Sequence, residues 1–152
     1  MSEAIKIRHA ETRDLPAISD LATQWAEEGS TIGQEAGTFQ HYLEKSGFLI
    51  VAEAGREIIG FLAADTKTQY LAVFKSRKPY VELEELYVVP GRRGRGIGSL
   101  LIDELKAAAK VKGLARYHVY SASRELEAVT AFYRKHGFQV WSIQAYADEQ
   151  ES

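Results

Sequence analysis

Tyr80-Val81-Glu82-Leu83-Glu84-Glu85-Leu86-Tyr87-Val88-Val89-Pro90, continuing into Gly91-Arg92-Arg93-Gly94-Arg95-Gly96-Ile97-Gly98, is the stretch on which the fold turns. Its first half is β-rich and stops at a proline, which cannot donate to a sheet ladder. Its second half sets four glycines and three arginines in eight residues. Directly behind, Ile97, Leu101, Leu105 and Ala108 recur on one helical stripe, and Gly113 supplies a stop, so a helix is predicted from about Ser99 to Lys112. The unit is strand, glycine-rich loop, helix. Such a loop turns backbone N–H groups toward the positive end of a helix dipole and suits a phosphate group. Glycines let the amides approach, and Arg92, Arg93 and Arg95 can screen the charge. No Gly-Lys-Ser/Thr follows, and Ser99 stands where Gly-x-Gly-x-x-Gly needs its third glycine, so neither nucleotide-loop pattern fits. A solvated basic turn and an arginine-glycine patch on RNA are the competing readings of the same residues.

Working outward, Ile5 and Ile7 flank Lys6 as a short strand, and Asp14 caps a helix with Pro16 in its first turn and Leu15, Ile18, Leu21, Ala22 and Trp25 on one face. Phe39, Tyr42 and Leu43 suggest a second short helix before Gly47. Phe48 to Ala52 and Ile58 to Ala63 read as an antiparallel hairpin turning at Gly55. Thr66 to Pro79 holds an apolar Tyr70 to Phe74 core that could extend the strand, cover a neighbour or meet a partner. Beyond the glycine loop and its helix, Tyr117 to Ser121 reads as a strand, Glu125 to His136 as a helix, and Phe138 to Tyr146 as a closing strand. The series predicts an α/β fold, a mixed sheet flanked by helices, in a single domain over residues 1–152.

Composition narrows the function. A chain of 152 residues with 45% apolar and 26% charged residues can bury a core. A net charge of -2 argues against a nucleic-acid partner, and no apolar run approaches the ~18–20 residues that span a bilayer. Zero cysteines exclude disulfides, thiolate metal sites and a cysteine nucleophile, and the N-terminus lacks the form of a signal peptide, which allows a cytoplasmic location. His9, His41, His118 and His136 show no metal-binding spacing, so no metal is expected, and His118 is a cleft candidate only by its place after the loop helix. No Gly-x-Ser-x-Gly elbow marks a hydrolase.

Arg93-Gly94-Arg95-Gly96-Ile97-Gly98, in its strand-to-helix setting, resembles the Gln/Arg-x-x-Gly-x-Gly/Ala signature of the GNAT superfamily, the acyl-CoA-dependent N-acetyltransferases. Ile7-Arg8 with Asp14 to Ile18 is similar to that family's first strand and helix, and Ala131-Phe132-Tyr133 with His136-Gly137-Phe138 to its last helix and strand. The resemblance implies a GNAT-like, mostly antiparallel sheet and acetyl-CoA as cosubstrate. It puts the amides of Arg93, Gly94, Arg95, Gly96, Ile97, Gly98 and Ser99 on the pyrophosphate and the backbone of Leu86, Tyr87 and Val88 on the pantetheine arm. Val88 N–H would polarise the carbonyl, and Tyr133 would be the general acid, against the alternative that it is a core aromatic. The sequence departs from the family at Leu126, where many members carry asparagine.

Acyl transfer to an amine also needs a proton acceptor. Glu84 is favoured, directly or through water, with Glu85 and Glu82 as rivals. Simple alternation puts Glu82 and Glu84 on one face and Glu85 on the other, and a bulge would reverse that parity. The acidic run suits a small cationic amine as acceptor, with Glu82 and Trp25 as candidate acceptor contacts. Amino sugars, polyamines, amino acids and protein amines remain open, as does a noncatalytic CoA-binding domain. Apolar Tyr70 to Phe74 and the edges of an open sheet make a homodimer plausible.

Overall fold

The two-residue turn Gly55-Arg56 joins Phe48–Ala54 (β2) to Glu57–Lys67 (β3), the hairpin around which the other strands assemble. The computed structural model describes residues 4–45 and 48–150, so Gly47, one expected flank of the second helix, lies outside it. Ile5–His9 (β1) pairs antiparallel with β2, and Tyr80–Val88 (β4) antiparallel with β3. Tyr117–Val119 (β5) adds parallel to β4, which completes a mixed sheet ordered β1-β2-β3-β4-β5. The parallel step is made by Ile97–Val111 (α3), the predicted crossover helix. Leu15–Glu28 (α1), Phe39–Leu43 (α2) and Leu126–Lys135 (α4) complete the set.

Two apolar layers hold the sheet. Leu101, Ile102, Leu105 and Ala109 of α3 pack with Phe48, Ile50, Leu62, Val81 and Leu83 on one face. Leu15, Ile18, Leu21 and Ala22 of α1 pack with Tyr42 of α2, Val51, Phe61 and Tyr87 on the other. Each fully buried leucine, isoleucine or phenylalanine contributes ~1.5–3 kcal/mol, so both helix stripes are strongly held.

Two sequence expectations meet corrections, and one open choice is resolved. Asp14 stands at the head of α1 but does not bond its amides. Its carboxylate accepts Arg8 Nη1 and Nη2 at 2.7 and 2.9 Å and the Glu11 N–H at 2.7 Å, because the part-buried Arg8 needs a counter-charge. Beyond Lys67 the segment up to Pro79 forms no strand, and Phe74 covers Tyr80, ring centroids 5.7 Å apart. The closing strand expected over Phe138 to Tyr146 is absent: that segment carries no secondary structure. The Phe138 N–H is drawn out of any ladder by the Tyr133 carbonyl at 3.0 Å, and β5 is only three residues long.

Candidate functional site

β4 and β5 pair at Val81↔Tyr117, Glu82↔His118 and Leu83↔Val119, and there β5 ends. From Glu84 to Val88 the outer edge of β4 therefore borders an open cleft. Val89 N–H donates to the Ile59 carbonyl of β3 at 2.9 Å. By alternation Tyr87 also faces β3, paired with Phe61, while the backbone groups of Leu86 and Val88 face the cleft. The Val88 carbonyl fits that parity: it accepts Arg93 Nε, from the loop, at 2.8 Å. Of the three backbone positions expected on the pantetheine arm, two present themselves.

The loop closes the cleft's far end. Gly94 and Gly96 have φ of 76° and 80°, a left-handed conformation that L side chains resist, and Gly96 is the N-cap of α3. The first helical bond runs from Leu100 N–H to the Gly96 carbonyl at 3.1 Å, which leaves the N–H groups of Ile97, Gly98 and Ser99 without acceptors inside the helix. Gly98 serves a different purpose: a Cβ there would meet Phe132 Cζ at 3.3 Å. That close approach seats α4, through Phe132, beside the head of α3. Ser99 Oγ is 2.9 Å from His136 Nε2. The Arg93 side chain turns from the helix head, lies 5.3 Å over the Tyr87 ring and bonds Glu28 at 2.8 Å, so it braces the strand end rather than screening a phosphate. Arg95 is exposed on the loop.

The acidic run is rearranged by a bulge. Ala63 pairs with Glu85 and Ala64 with Leu83, so Glu84 is the extra residue. The bulge puts Glu85 on the face of Tyr87 and Glu82, while Val81, Leu83, Leu86 and Val88 pack toward α3. The unbulged pairing of Glu82 with Glu84 is thereby corrected. Glu84, the favoured proton acceptor, accepts Lys45 Nζ at 2.6 Å and lies 3.8 Å from Lys67 Nζ. Lys45 also bonds Asp65 at 2.9 Å; although burial works the other way, that bond holds the Asp65 carboxyl below its ordinary range. Both Glu84 oxygens thus face an ammonium group, Oε2 that of Lys45 and Oε1 that of Lys67. Glu85 is buried under α2, accepting the Tyr42 hydroxyl at 2.9 Å with His41 Nε2 at 3.4 Å. Burial and the adjacent Glu85 charge push the Tyr42 phenol up.

Glu82 has another partner. Its Oε2 lies 2.7 Å from His118 Nδ1, both side chains largely buried at 13% and 14% exposure. The pair sits one residue below the point where the strands part. It was not legible in the sequence, since 36 residues separate the two and only the parallel register joins them. Trp25 stacks on Tyr87, centroids 5.5 Å apart, and donates to Thr31 Oγ1 at 3.2 Å; the Tyr87 hydroxyl donates to Glu28. These rings wall the α1 side of β4. Tyr133 is half-buried between Phe132 and Phe138, and burial pushes its phenol up.

A depression of about 450 Å³ lined by Arg8, Arg13, Asp14, Glu53 and Arg56 lies at the β1–β2 end of the sheet, remote from this cleft. Among the described residues no three histidine, aspartate or glutamate side chains converge as a metal site, and no helix is long and apolar enough to cross a membrane.

Residues 45–140 match the family model described as an acetyltransferase (GNAT) domain. The chain is 41% identical over 61 residues to an uncharacterized N-acetyltransferase of Archaeoglobus fulgidus, covering 40% of this chain and 39% of the relative. It is 30% identical over 96 residues to another from Methanocaldococcus jannaschii, covering 63% of this chain and 40% of that one. The chain thus spans about two fifths of the length of the curated relatives it matches. Among solved structures it is similar to AAC(6')-Iy in complex with the bisubstrate analog CoA-S-monomethyl-acetylneamine, with TM-score 0.74, 21% identity and coverage of 96% of this chain and 98% of that one. A predicted acetyltransferase with acetyl-CoA from Clostridium acetobutylicum matches with TM-score 0.73, 19% identity and coverage of 98% and 99%. These likenesses show the fold, and the match over well more than half of its length shows that this chain belongs to the GNAT acetyltransferase domain family.

Proposed function

We propose that the protein is an acetyl-CoA-dependent N-acetyltransferase acting on a primary amine, by direct transfer in a ternary complex. One observation carries this reading: the free edge of β4 opens beside the uncommitted N–H groups at the head of α3. A single extended ligand can bond the strand edge with its amides and end its phosphates on the helix terminus. Acyl-CoA has that shape, and it supplies the thioester carbonyl that an amine attacks. The neighbours solved with acetyl-CoA or a CoA analog support the assignment.

In the transfer a carbon–nitrogen bond forms, the carbon–sulfur bond breaks, nitrogen loses a proton and sulfur gains one. Val88 N–H, facing the cleft, donates to the carbonyl oxygen as charge develops there. His118 takes the proton from nitrogen: with Nδ1–H donated to Glu82, its Nε2 is the basic site. Glu84 and Glu85 are spent on Lys45 and on Tyr42, so the base role moves to Glu82 acting through His118. Tyr133, next to Phe132 on α4, donates to the departing sulfur.

The favoured acceptor is a small cationic amine, supported by Glu82 and Glu85 on one face of the sheet and by the acetylneamine moiety of the AAC(6')-Iy ligand. The proposed location is the cytoplasm, with which a cysteine-free chain is compatible. Calorimetric titration with acetyl-CoA, followed by thiol release against small amines, amino sugars and peptides, tests the reading. Binding with release to one amine class is expected. No acetyl-CoA binding would sink the proposal, and binding without release to any amine would make the chain a CoA sensor.

A further inference from the structure

Ser99 brings the only polar side chain to the first turn of α3, between Gly98 and Leu100. Helical side chains lean toward the N-terminus, so its short hydroxyl leans toward the end where the N–H groups of Ile97, Gly98 and Ser99 lack acceptors. That hydroxyl is already engaged. Its Oγ is 2.9 Å from Nε2 of His136, the residue that closes α4. Packing sets the place of the imidazole: the His136 carbonyl accepts Lys106 Nζ from α3, and the ring centroid is 4.9 Å from that of Phe132. Phe132 itself rests where a Cβ on Gly98 would meet it at 3.3 Å. Serine and histidine are thus held face to face at the head of the loop helix.

Two hydrogen-bond patterns fit this distance. With the ring proton on Nδ1, Nε2 accepts the Ser99 O–H, and Oγ offers an incoming phosphate only lone pairs. With the proton on Nε2, the ring donates to Oγ and releases the Ser99 O–H toward a phosphate oxygen. An ionised phosphate oxygen can only accept, so it selects the second pattern. A protonated ring permits no other, since both its nitrogens are then donors. The charged groups facing the ring are Asp103 and Lys106 of α3 and Lys135 of its own helix. Burial, opposed by Asp103 and reinforced by the two lysines, holds the imidazolium below its ordinary range, so the free ring is neutral near pH 7.

We propose that His136 is a positioning residue for the cofactor phosphates, one that turns the Ser99 hydroxyl into a donor toward them and takes up a proton as acyl-CoA binds. The inference rests on the acyl-CoA reading and adds to its glycine loop a residue 37 positions along the chain from Ser99. Because the bound anion favours the charged ring, proton and ligand strengthen each other's binding. Affinity therefore falls as pH rises through the range in which the histidine titrates.

Dephospho-CoA is the probe, because its pyrophosphate has no group that titrates near neutral pH, whereas the 3′-phosphate monoester of CoA does. Calorimetry of the parent from about pH 5 to about pH 8 should show the affinity falling roughly tenfold, with proton uptake measured by repeating the titration in buffers of different ionisation enthalpy. Ser99→Ala should weaken binding about tenfold at about pH 6 and flatten the pH dependence. His136→Gln places an amide donor near Oγ that does not titrate, so it should keep the parent's neutral-pH affinity within about threefold and lose the slope. Circular dichroism should be unchanged in both, alanine being the best helix former. A slope that survives in His136→Gln, or an affinity that Ser99→Ala leaves within about twofold, overturns the proposal. A parent that binds acetyl-CoA but shows no slope, or no binding, with dephospho-CoA overturns it while leaving the acyl-CoA reading in place; a parent that binds neither overturns both.

Discussion

His118 Nδ1 lies 2.7 Å from Glu82 Oε2, across a register pair of the parallel β4–β5 ladder and one residue short of where the strands separate. A histidine oriented through one ring nitrogen leaves the other to move protons at the mouth of the cleft. His118→Gln should lower kcat ~10²-fold or more, with acetyl-CoA affinity kept within about twofold. Glu82→Gln, which removes the partner of Nδ1, should lower kcat in the same direction. Steady-state rates of both variants check this, and full rate in both removes the pair from the mechanism.

Glu84→Gln separates the two readings of the acidic strand. Because Glu84 is held by Lys45 and Lys67, its neutralisation should change kcat less than about threefold while costing ~1–3 kcal/mol of stability through the largely buried Lys45. Urea unfolding and rate measurement on the same preparation decide. A ~10²-fold fall in kcat would return the base role to Glu84.

Tyr133→Phe should lower kcat about tenfold or more and leave the KM for acetyl-CoA nearly unchanged, since only the hydroxyl is removed from a ring packed on Phe132 and Phe138. Retention of full activity at every pH would leave this residue as packing alone.

Gly96→Glu should abolish acetyl-CoA binding by calorimetry, a loss of more than ~100-fold. The substitution strains a backbone at φ 80° and sets a carboxylate where a pyrophosphate would lie. Unchanged affinity would falsify the loop's proposed role.

Acid should weaken the fold through Asp14. Hydrogen bonds from Arg8, though opposed by burial, hold this carboxyl below the ordinary value of ~3.9. Its stabilisation is therefore complete above that value and is lost as pH falls through the lower folded value. Asp14→Asn should cost ~1.5–3 kcal/mol near neutral pH and flatten the dependence of stability on pH in the acid range. Urea midpoints from pH 7 downward measure it, and parallel curves for parent and variant would contradict the assignment.

The sequence by itself determined those features whose causes lie within a few residues. Pro90 ends β4, glycines at 94 and 96 supply left-handed backbone, and the Ile97 to Leu105 stripe makes α3, so strand, loop and helix were legible together with the family they resemble. Tertiary structure alone decided which partners the carboxylates take. The bulge at Glu84 is a property of two strands in register, and it moved Glu85 to the face of Glu82. Lys45 reached Glu84 from 39 residues away and Glu82 met His118 from 36, distances over which local propensity is silent. The same limit governs the C-terminus: Phe138 to Tyr146 has the pattern of a strand, but a strand forms only where an edge is in reach with its amides aligned, and within this one chain that edge is passed by.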